Sequence, residues 1–248
     1  MKNILAITTY TLKEILRDKI LYGIIGFGVI FLILIFLLSS LSLGNDIKLV
    51  KDLGLGLIYL FALVLAIYFG SLVFNREFDN GTYKEISLKP VPLLHFVVGK
   101  FLGVFLGLVI NLLFFNLLYF LVVLSKKGGA DLLSLFQTLL LIFEMAVVLS
   151  LALLFSTRFN QLVSIILTAC MVIIGHMLPA LREFGDLPKV LNVASLVLPN
   201  FEKFNLRDSI IFGDVPSSTT LFIPMIYALF YTVILLWMTH VSLKKHSE

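Results

Sequence analysis

The 248-residue sequence has few charged residues and a single cysteine. Charged residues make up 14% of the chain, compared with roughly 25% in soluble globular proteins, and 60% of the residues are hydrophobic. This composition excludes an ordinary soluble domain and predicts a polytopic membrane protein. Because Cys170 has no second cysteine to pair with, an intrachain disulfide is excluded, and cysteine usage gives no information about the redox compartment.

Sequence motifs for enzymatic chemistry are also missing. The chain has no GxxxxGK phosphate-binding loop followed by Ser or Thr, no GxSxG motif and no HExxH motif. We therefore predict a protein without catalytic residues and without an ATP site, cofactor or metal of its own. The net charge of +4 does not indicate nucleic-acid binding, because Lys and Arg lie mainly between apolar runs, where they set membrane topology.

Six apolar runs are long enough to cross a bilayer as helices, which takes about 20 residues each. We place them at Ile20 to Leu41, Leu53 to Phe74, Phe96 to Leu124, Leu132 to Phe155, Leu162 to Leu181 and Leu221 to Leu243. A signal peptide is the alternative for the first run, but its length of about 22 residues exceeds the roughly 7–15 of a signal-peptide core. The predicted fold is an all-α polytopic membrane protein in which residues 1–248 form one domain.

Basic residues lie mostly on one side of these spans. The segments on the side of the chain termini hold eleven, namely Lys2, Lys13, Arg17, Lys19, Arg76, Lys84, Lys89, Lys100, Arg158, Lys244 and Lys245. The two short loops on the other side hold four, namely Lys48, Lys51, Lys126 and Lys127, and the fifth loop adds four more. Because basic residues favour the cytoplasmic side, we predict a plasma-membrane protein with both termini in the cytoplasm.

Residues 1–19 precede the first span and carry apolar residues at helical spacing. These residues are Ile4, Leu5, Leu12, Ile15 and Leu16, and basic side chains occupy much of the remaining surface. The pattern predicts an amphipathic helix at the cytoplasmic membrane interface.

A charged segment separates the second and third spans, and its loop covers residues 75–95. Thr82 and Glu85 form a capping box, which predicts the start of a helix. Pro90 limits this helix to Tyr83 to Leu88, which is about two turns. The alternative interpretation is a solvated loop that contains one helical turn.

Glycines recur at four-residue spacing at the start of the third span. Gly99, Gly103 and Gly107 predict close packing against another helix, either from this chain or from a second copy. The alternative is that glycine is simply common in membrane helices, which explains the regular spacing less well.

Polar residues inside the spans are candidate functional residues because their burial in lipid is costly. Glu144 is the only acidic residue deep in an apolar run. We expect it to pair with a polar group on another helix, to be neutral, or to lie on a substrate or proton path. Asn111 and Asn116 predict interhelical hydrogen bonds, with a place along the substrate pathway as the alternative.

The fifth span contains side chains that could bind a soft metal ion, namely Cys170, Met171, His176 and Met177. Cys170 and Met177 share a helix face, whereas the other two do not align with them. Core packing is therefore favoured, and no metal site is predicted.

The loop at residues 182–220 is predicted to be extracytoplasmic. Pro188 to Leu198 is mostly apolar but too short to span a bilayer, which predicts a re-entrant or interfacial helix. Asn200 to Asp208 mixes aromatic and charged residues, as membrane-interface anchors do. Gating or partner docking is the alternative role for this second stretch.

The order of an amphipathic helix, six spans and a charged first cytoplasmic loop resembles the ABC-2 family of ABC transporter permeases. The resemblance rests on Arg76, Glu77, Asp79, Gly81 and Thr82, then Leu88, Pro90, Gly99 and Lys100. This pattern is similar to RExExGT, a proline and a GK pair in that family, with Asp79 where the family usually has Glu. Pro199 to Asp208 is similar to the permease branch associated with the maturation of multicopper enzymes, including nitrous oxide reductase.

The resemblance implies a permease subunit that couples ATP hydrolysis by a separate ATPase to substrate movement, with export as the expected direction. ATP would be bound by the ATPase dimer. The other implied partners are a second permease copy or a paralogue, and membrane lipid. The implied contacts with the ATPase are Arg76, Glu77, Asp79, Gly81, Thr82, Tyr83, Lys84 and Glu85.

Two other functions remain open. A secondary transporter would use Glu144 as a proton or ion site and would be expected to contain paired broken helices in two repeats, which the sequence does not show. A non-transporting scaffold or assembly subunit would share all the features described above.

Overall fold

The computed structural model describes residues 2–39, 46–79, 81, 92–125, 132–183, 198–206 and 217–247. These residues form seven α-helices and one short 3-10 helix, without a β-strand among them. The α-helices are α1 (Lys2–Leu16), α2 (Lys19–Ser39), α3 (Asp46–Asp79), α4 (Leu93–Ser125), α5 (Leu132–Ser156), α6 (Gln161–Glu183) and α7 (Ser218–Ser247). The 3-10 helix, η1, covers Phe201–Phe204.

Six of these helices, α2 to α7, are long and apolar enough to cross a membrane. The candidate spans are Lys19–Leu37, Ile47–Asp79, Leu93–Ser125, Leu133–Ser156, Gln161–Ala180 and Ser218–Lys245. The predicted all-α fold with six spans is therefore confirmed. With 34 residues, α3 is about 51 Å long, so its ends extend beyond a hydrocarbon core of about 30 Å.

Short polar side chains mark the starts of three helices. Asp18 accepts a 2.9 Å hydrogen bond from the backbone N–H two residues further on, at the start of α2. Asn160 and Ser217 accept similar bonds of 3.0 and 3.3 Å at the starts of α6 and α7. Because the first N–H groups of a helix have no partner within it, these caps stabilise the helix starts.

The central pair of the bundle consists of α3 and α5. The helix α3 packs against α2, α4, α5 and α6, and α5 packs against α3, α4, α6 and α7. Leu65 of α3 and Leu149 of α5 are completely buried. In contrast, α2 and α7 expose large apolar side chains such as Phe27 and Trp237, which suit contact with lipid.

The bundle has two distinct ends. At one end, α1 packs against the first part of α4 and contacts the last turn of α3, and we name this the α1 end. At the other end, η1 packs against α5 and α6, and we name this the η1 end.

The three glycines of α4, Gly99, Gly103 and Gly107, all face α1. A Cβ at Gly103 would lie 2.5 Å from the Cβ of Thr11 and 2.9 Å from the backbone oxygen of Thr8. The hydroxyl of Thr8 also donates a 3.3 Å hydrogen bond to the backbone oxygen of Gly99. The helix packed against the glycines is therefore α1 of the same chain.

The buried face of α1 keeps Ile15 of the apolar stripe expected from the sequence, but it leaves out Leu5 and adds two threonines. Thr8 and Thr11 are buried, whereas Leu5 is 62% exposed. Small side chains are favoured where the backbones of α1 and α4 approach each other closely. The larger Leu5 and Tyr10 are exposed on an outer surface of α1.

The 3-10 helix η1 inserts into the bundle. Phe201 and Phe204 are completely buried. A Cβ at Gly175 of α6 would lie 2.6 Å from the backbone oxygen of Pro199, so only glycine allows this approach. The prediction that these two aromatic residues anchor the chain at the membrane interface is wrong, because they fill space between helices. Most of the predicted helix at Pro188 to Leu198 lies outside the described residues.

We expect Gly103→Ala to destabilise the protein by about 1–3 kcal/mol, because the new methyl group overlaps Thr11 and the backbone of Thr8. The matched control is Gly26→Ala in α2, where a Cβ meets no atom within 4 Å. Thermal unfolding of both purified variants in the same detergent measures the difference. Equal melting temperatures would contradict the close packing of α1 against α4.

Candidate functional site

Two groups of polar residues, one at each end of the bundle, are candidate functional sites. An ion-pair cluster at the α1 end consists of Glu14, Asp18, Arg76, Glu77 and Lys100. A polar cavity lies at the η1 end. The two places are separated on α3 by the distance from Tyr59 to Arg76, which is about 26 Å along the helix axis.

Lys100 is the most buried member of the ion-pair cluster. Its side chain is 3% exposed and forms an ion pair with Glu77, and its Nζ lies 3.9 Å from Oε2 of Glu14. A buried ammonium group requires such partners, because its removal from water is costly. The first turns of α4 are thereby linked to the last turn of α3 and to α1.

Arg76 forms the second half of the cluster. One guanidinium nitrogen lies 2.7 Å from Oδ2 of Asp18, and another lies 3.3 Å from Oε1 of Glu14. Glu14 therefore contacts cationic groups of both α3 and α4. In this way α1 bridges the two spans that border the charged loop.

Four of the predicted ATPase-contact residues are described. Arg76, Glu77 and Asp79 lie in the last turn of α3, where Asp79 is exposed. Gly81 has φ of 70°, and its N–H donates a 3.1 Å hydrogen bond to the oxygen of Phe78. This left-handed conformation suits glycine just after a helix. The remaining four, Thr82, Tyr83, Lys84 and Glu85, lie outside the described residues.

The contribution of α1 to this cluster was not predicted from the sequence. Glu14 and Asp18 were not singled out, although they are the only acidic residues among the first nineteen. They are four residues apart, so they share one side of the chain wherever it is helical. This acidic pair in an otherwise basic segment was the sequence feature that could have indicated ion pairs with basic residues of another helix.

The polar cavity lies between α3, α4, α5 and α6 and has a volume of about 230 Å³. Its lining combines apolar and polar side chains from these helices and from the segment after η1. The lining residues are Leu55, Ile58, Tyr59, Asn116, Gln137, Thr138, Leu141, Glu144, His176 and Asn205. A polar space of this kind inside a membrane bundle is a candidate binding site.

A chain of polar contacts crosses one wall of this cavity. The hydroxyl of Tyr59 donates a 3.2 Å hydrogen bond to Oε1 of Glu144 and lies 2.6 Å from Nε2 of His176. The other ring nitrogen of His176, Nδ1, lies 3.4 Å from Oε2 of Glu202. An imidazole protonated on both nitrogens can donate towards Tyr59 and Glu202 at once. The contacts connect α5, α3, α6 and η1.

The segment that contains η1 covers the cavity at this end. The backbone N–H of Leu206 donates a 2.8 Å hydrogen bond to Oε1 of Gln137. The side-chain amide of Asn205 donates a 2.7 Å hydrogen bond to Oε1 of Glu202. Because these contacts join η1 to α5 and to the polar chain, opening of the cavity at this end requires them to break.

Of the three predicted pathway residues, Asn116 and Glu144 line this cavity and Asn111 does not. Nδ2 of Asn116 in α4 donates a hydrogen bond to Oγ1 of Thr138 in α5. Asn111 is buried beside a separate, mostly apolar cavity of about 200 Å³ near Leu16 and Leu21. Its Nδ2 has no hydrogen-bond partner within the described part of the chain.

The four side chains considered as soft metal ligands are not gathered at one point. Cys170 is exposed, and Met177 is 51% exposed, whereas His176 faces the polar cavity. The described ranges contain no group of three His, Cys, Asp or Glu residues that could hold a metal ion.

Residues 12–175, about two-thirds of the chain, match a family described as ABC-2 family transporter protein. The chain belongs to the ABC-2 transporter family. The matched region includes the whole ion-pair cluster and, on α3 to α5, most of the cavity lining. The family match and the six helices long and apolar enough to cross a membrane identify the ABC-2 protein as a multi-pass membrane protein. Membrane domains of this family generally act as non-catalytic transport subunits and typically pair with an ABC ATPase. No curated protein matches the sequence of this ABC-2 protein.

We expect Lys100→Met to destabilise the ABC-2 protein by about 3–5 kcal/mol, because it breaks a buried ion pair by removing the ammonium group that contacts Glu77. The double variant Lys100→Met/Glu77→Met should recover most of this loss, since both charges are removed together. Thermal unfolding of the two variants and the parent measures the effect. A double variant no more stable than Lys100→Met would exclude a direct pairing of these residues.

Proposed function

We propose that this chain is the membrane-spanning permease subunit of an ABC transporter, in which a separate ATPase subunit drives substrate export. The segment that joins α3 and α4 would contact the ATPase through the residues named in the sequence analysis. No catalytic residue is assigned to the permease itself.

The ion-pair cluster is the observation that carries this proposal. Lys100 joins the start of α4 to Glu77 at the end of α3, and Arg76 joins α3 to Glu14 and Asp18. A displacement of the segment between α3 and α4 would therefore act on both spans together. Buried ion pairs suit this role, because separating their charges costs several kcal/mol.

The packing of α1 supports the same proposal. The helix α1 shares ion pairs with α3 and packs closely against the glycine face of α4. Asp18 also caps the start of α2, so α1 and α2 meet at the cluster. Movement at the cluster would accordingly reach α2, α3 and α4, and α3 extends from there to the polar cavity.

The proposed complex contains two ATPase subunits and two permeases, either two copies of this chain or one copy with a paralogue. It lies in the plasma membrane with both termini in the cytoplasm, so that the α1 end faces the ATPase. Assignment to the branch associated with multicopper-enzyme maturation is a further part of this proposal and rests on Pro199 to Asp208.

Affinity purification of the chain from native membranes should yield an ABC ATPase in stoichiometric amount. In the purified complex, Gly81→Val should abolish the effect of the permease on ATPase activity, because valine is strained at φ of 70°. The variant should remain in the membrane at the parental level.

The control for this experiment is Gly26→Val, a change of the same size in α2 where a Cβ meets no neighbouring atom. It should leave the effect on ATPase activity unchanged. Parental coupling in Gly81→Val would contradict the assigned contact, and purification without any ATPase would favour an ion-coupled transporter that uses Glu144.

Topology provides an independent test. In a Cys170→Ala background, a cysteine introduced by Lys84→Cys should react with a membrane-impermeant maleimide only after the cells are permeabilised. Cysteine introduced by Asp52→Cys, near the start of α3 at the other end of the span, should react in intact cells. The reverse labelling pattern would place the loop beyond the reach of a cytoplasmic ATPase.

A further inference from the structure

The charged groups beside the polar cavity indicate the sign of the charge on a ligand. Glu144 is 2% exposed, and its carboxylate lies beside the cavity together with Tyr59 and His176. Glu202 lies behind His176, at 3.4 Å from Nδ1. One carboxylate oxygen of Glu144 and one of Glu202 each lie 3.4 Å from a nitrogen of the same imidazole, so at most one positive charge faces two negative charges when both carboxylates are ionised.

Basic side chains do not offset this charge in the described lining. No Lys or Arg is among the residues around the cavity that the structure describes. Lys203 of η1 directs its Nζ to the ring of Tyr227, at 4.6 Å from the centroid. Within the described lining, an ionised Glu144 carboxylate has only an imidazole shared with Glu202 to compensate its charge, so a bound cation would stabilise the site.

Asn116 supplies a second acceptor for such a ligand. This residue is 6% exposed and lines the cavity, and its Nδ2 donates to Thr138. Because Nδ2 makes this contact, Oδ1 is the acceptor atom of the same amide group. An amide oxygen of a residue that lines a cavity can accept a hydrogen bond from a ligand N–H group.

The apolar part of the lining and the cavity volume indicate the size of the ligand and the presence of a hydrocarbon portion. Leu55, Ile58 and Leu141 lie beside the polar groups and would surround an uncharged hydrocarbon portion. The volume of about 230 Å³ is below the roughly 300–1,000 Å³ of sites for drug-sized molecules. A hydrated metal ion would leave this apolar surface unused.

We propose that the polar cavity binds a small organic amine in its protonated form. The ammonium group donates to Glu144 and to Oδ1 of Asn116, and the hydrocarbon portion contacts Leu55, Ile58 and Leu141. Assignment of this amine as the transported cargo rests on the proposed transport function, whereas its binding does not. The segment Asn200 to Leu206 then covers the bound amine at the η1 end of the bundle.

Binding is tested on the purified full chain, without the ATPase, by calorimetric titration at pH 7. The cationic probes are methylamine, butylamine and 2-phenylethylamine, and the matched uncharged and anionic probes are 2-phenylethanol and 3-phenylpropanoate. At least one amine should bind, and neither matched probe should bind as tightly. Because the ATPase is absent, a negative result here leaves the coupling proposal unaffected.

The variant Glu144→Gln should weaken amine binding by about tenfold or more, since a charge-assisted hydrogen bond is replaced by a neutral one. Asp52→Asn is the matched control, because it removes an exposed carboxylate of α3 that does not line the cavity. Leu141→Phe keeps every charge and fills the apolar part of the cavity, so it should also reduce amine binding. This variant provides the test if Glu144→Gln does not fold.

Three results would overturn the proposal. The first is no binding by any of the three amines. The second is equal affinity for 2-phenylethylamine and 2-phenylethanol. The third is parental amine affinity in Glu144→Gln or in Leu141→Phe.

Discussion

A lysine buried at the entrance of a membrane span must have carboxylates beside it, and this requirement organises the α1 end of the protein. Lys100 meets it through Glu77 of α3 and Glu14 of α1. Glu14 in turn shares Arg76 with Asp18. Because each charge is compensated by a group on another helix, the position of any one of α1, α3 and α4 constrains the other two.

The glycine face of α4 and the ion-pair cluster act together. Close approach of α1 requires the absence of side chains at Gly99 and Gly103, and this approach places Glu14 near Lys100. The proposed contact with an ATPase would use this rigid unit to move whole helices. At the other end, η1 covers a cavity whose walls belong to the same helices α3 and α4, so displacement of the helices can alter access to the cavity.

Much of the architecture was predictable because membrane burial imposes simple rules. Length and composition identified all six spans, and the resemblance centred on residues 76–100 identified the family that the match confirms. Helix-period patterns were less reliable for α1, since its buried side carries Thr8 and Thr11 in place of Leu5. Period-based reasoning assumes that apolar residues are buried, whereas packing against glycine favours small residues.

The sequence by itself determined which residues are costly in a membrane, namely Glu144 and Asn116, and the spacing of the α4 glycines indicated close helix packing. Tertiary structure decided how these residues are satisfied. Tyr59, His176 and Glu202 come from α3, α6 and η1, up to 143 residues apart, and nothing in their local sequence indicates that they meet beside Glu144. The physical reason is that local sequence fixes helix formation and burial, whereas the polar partner of a buried group depends on which helices pack together.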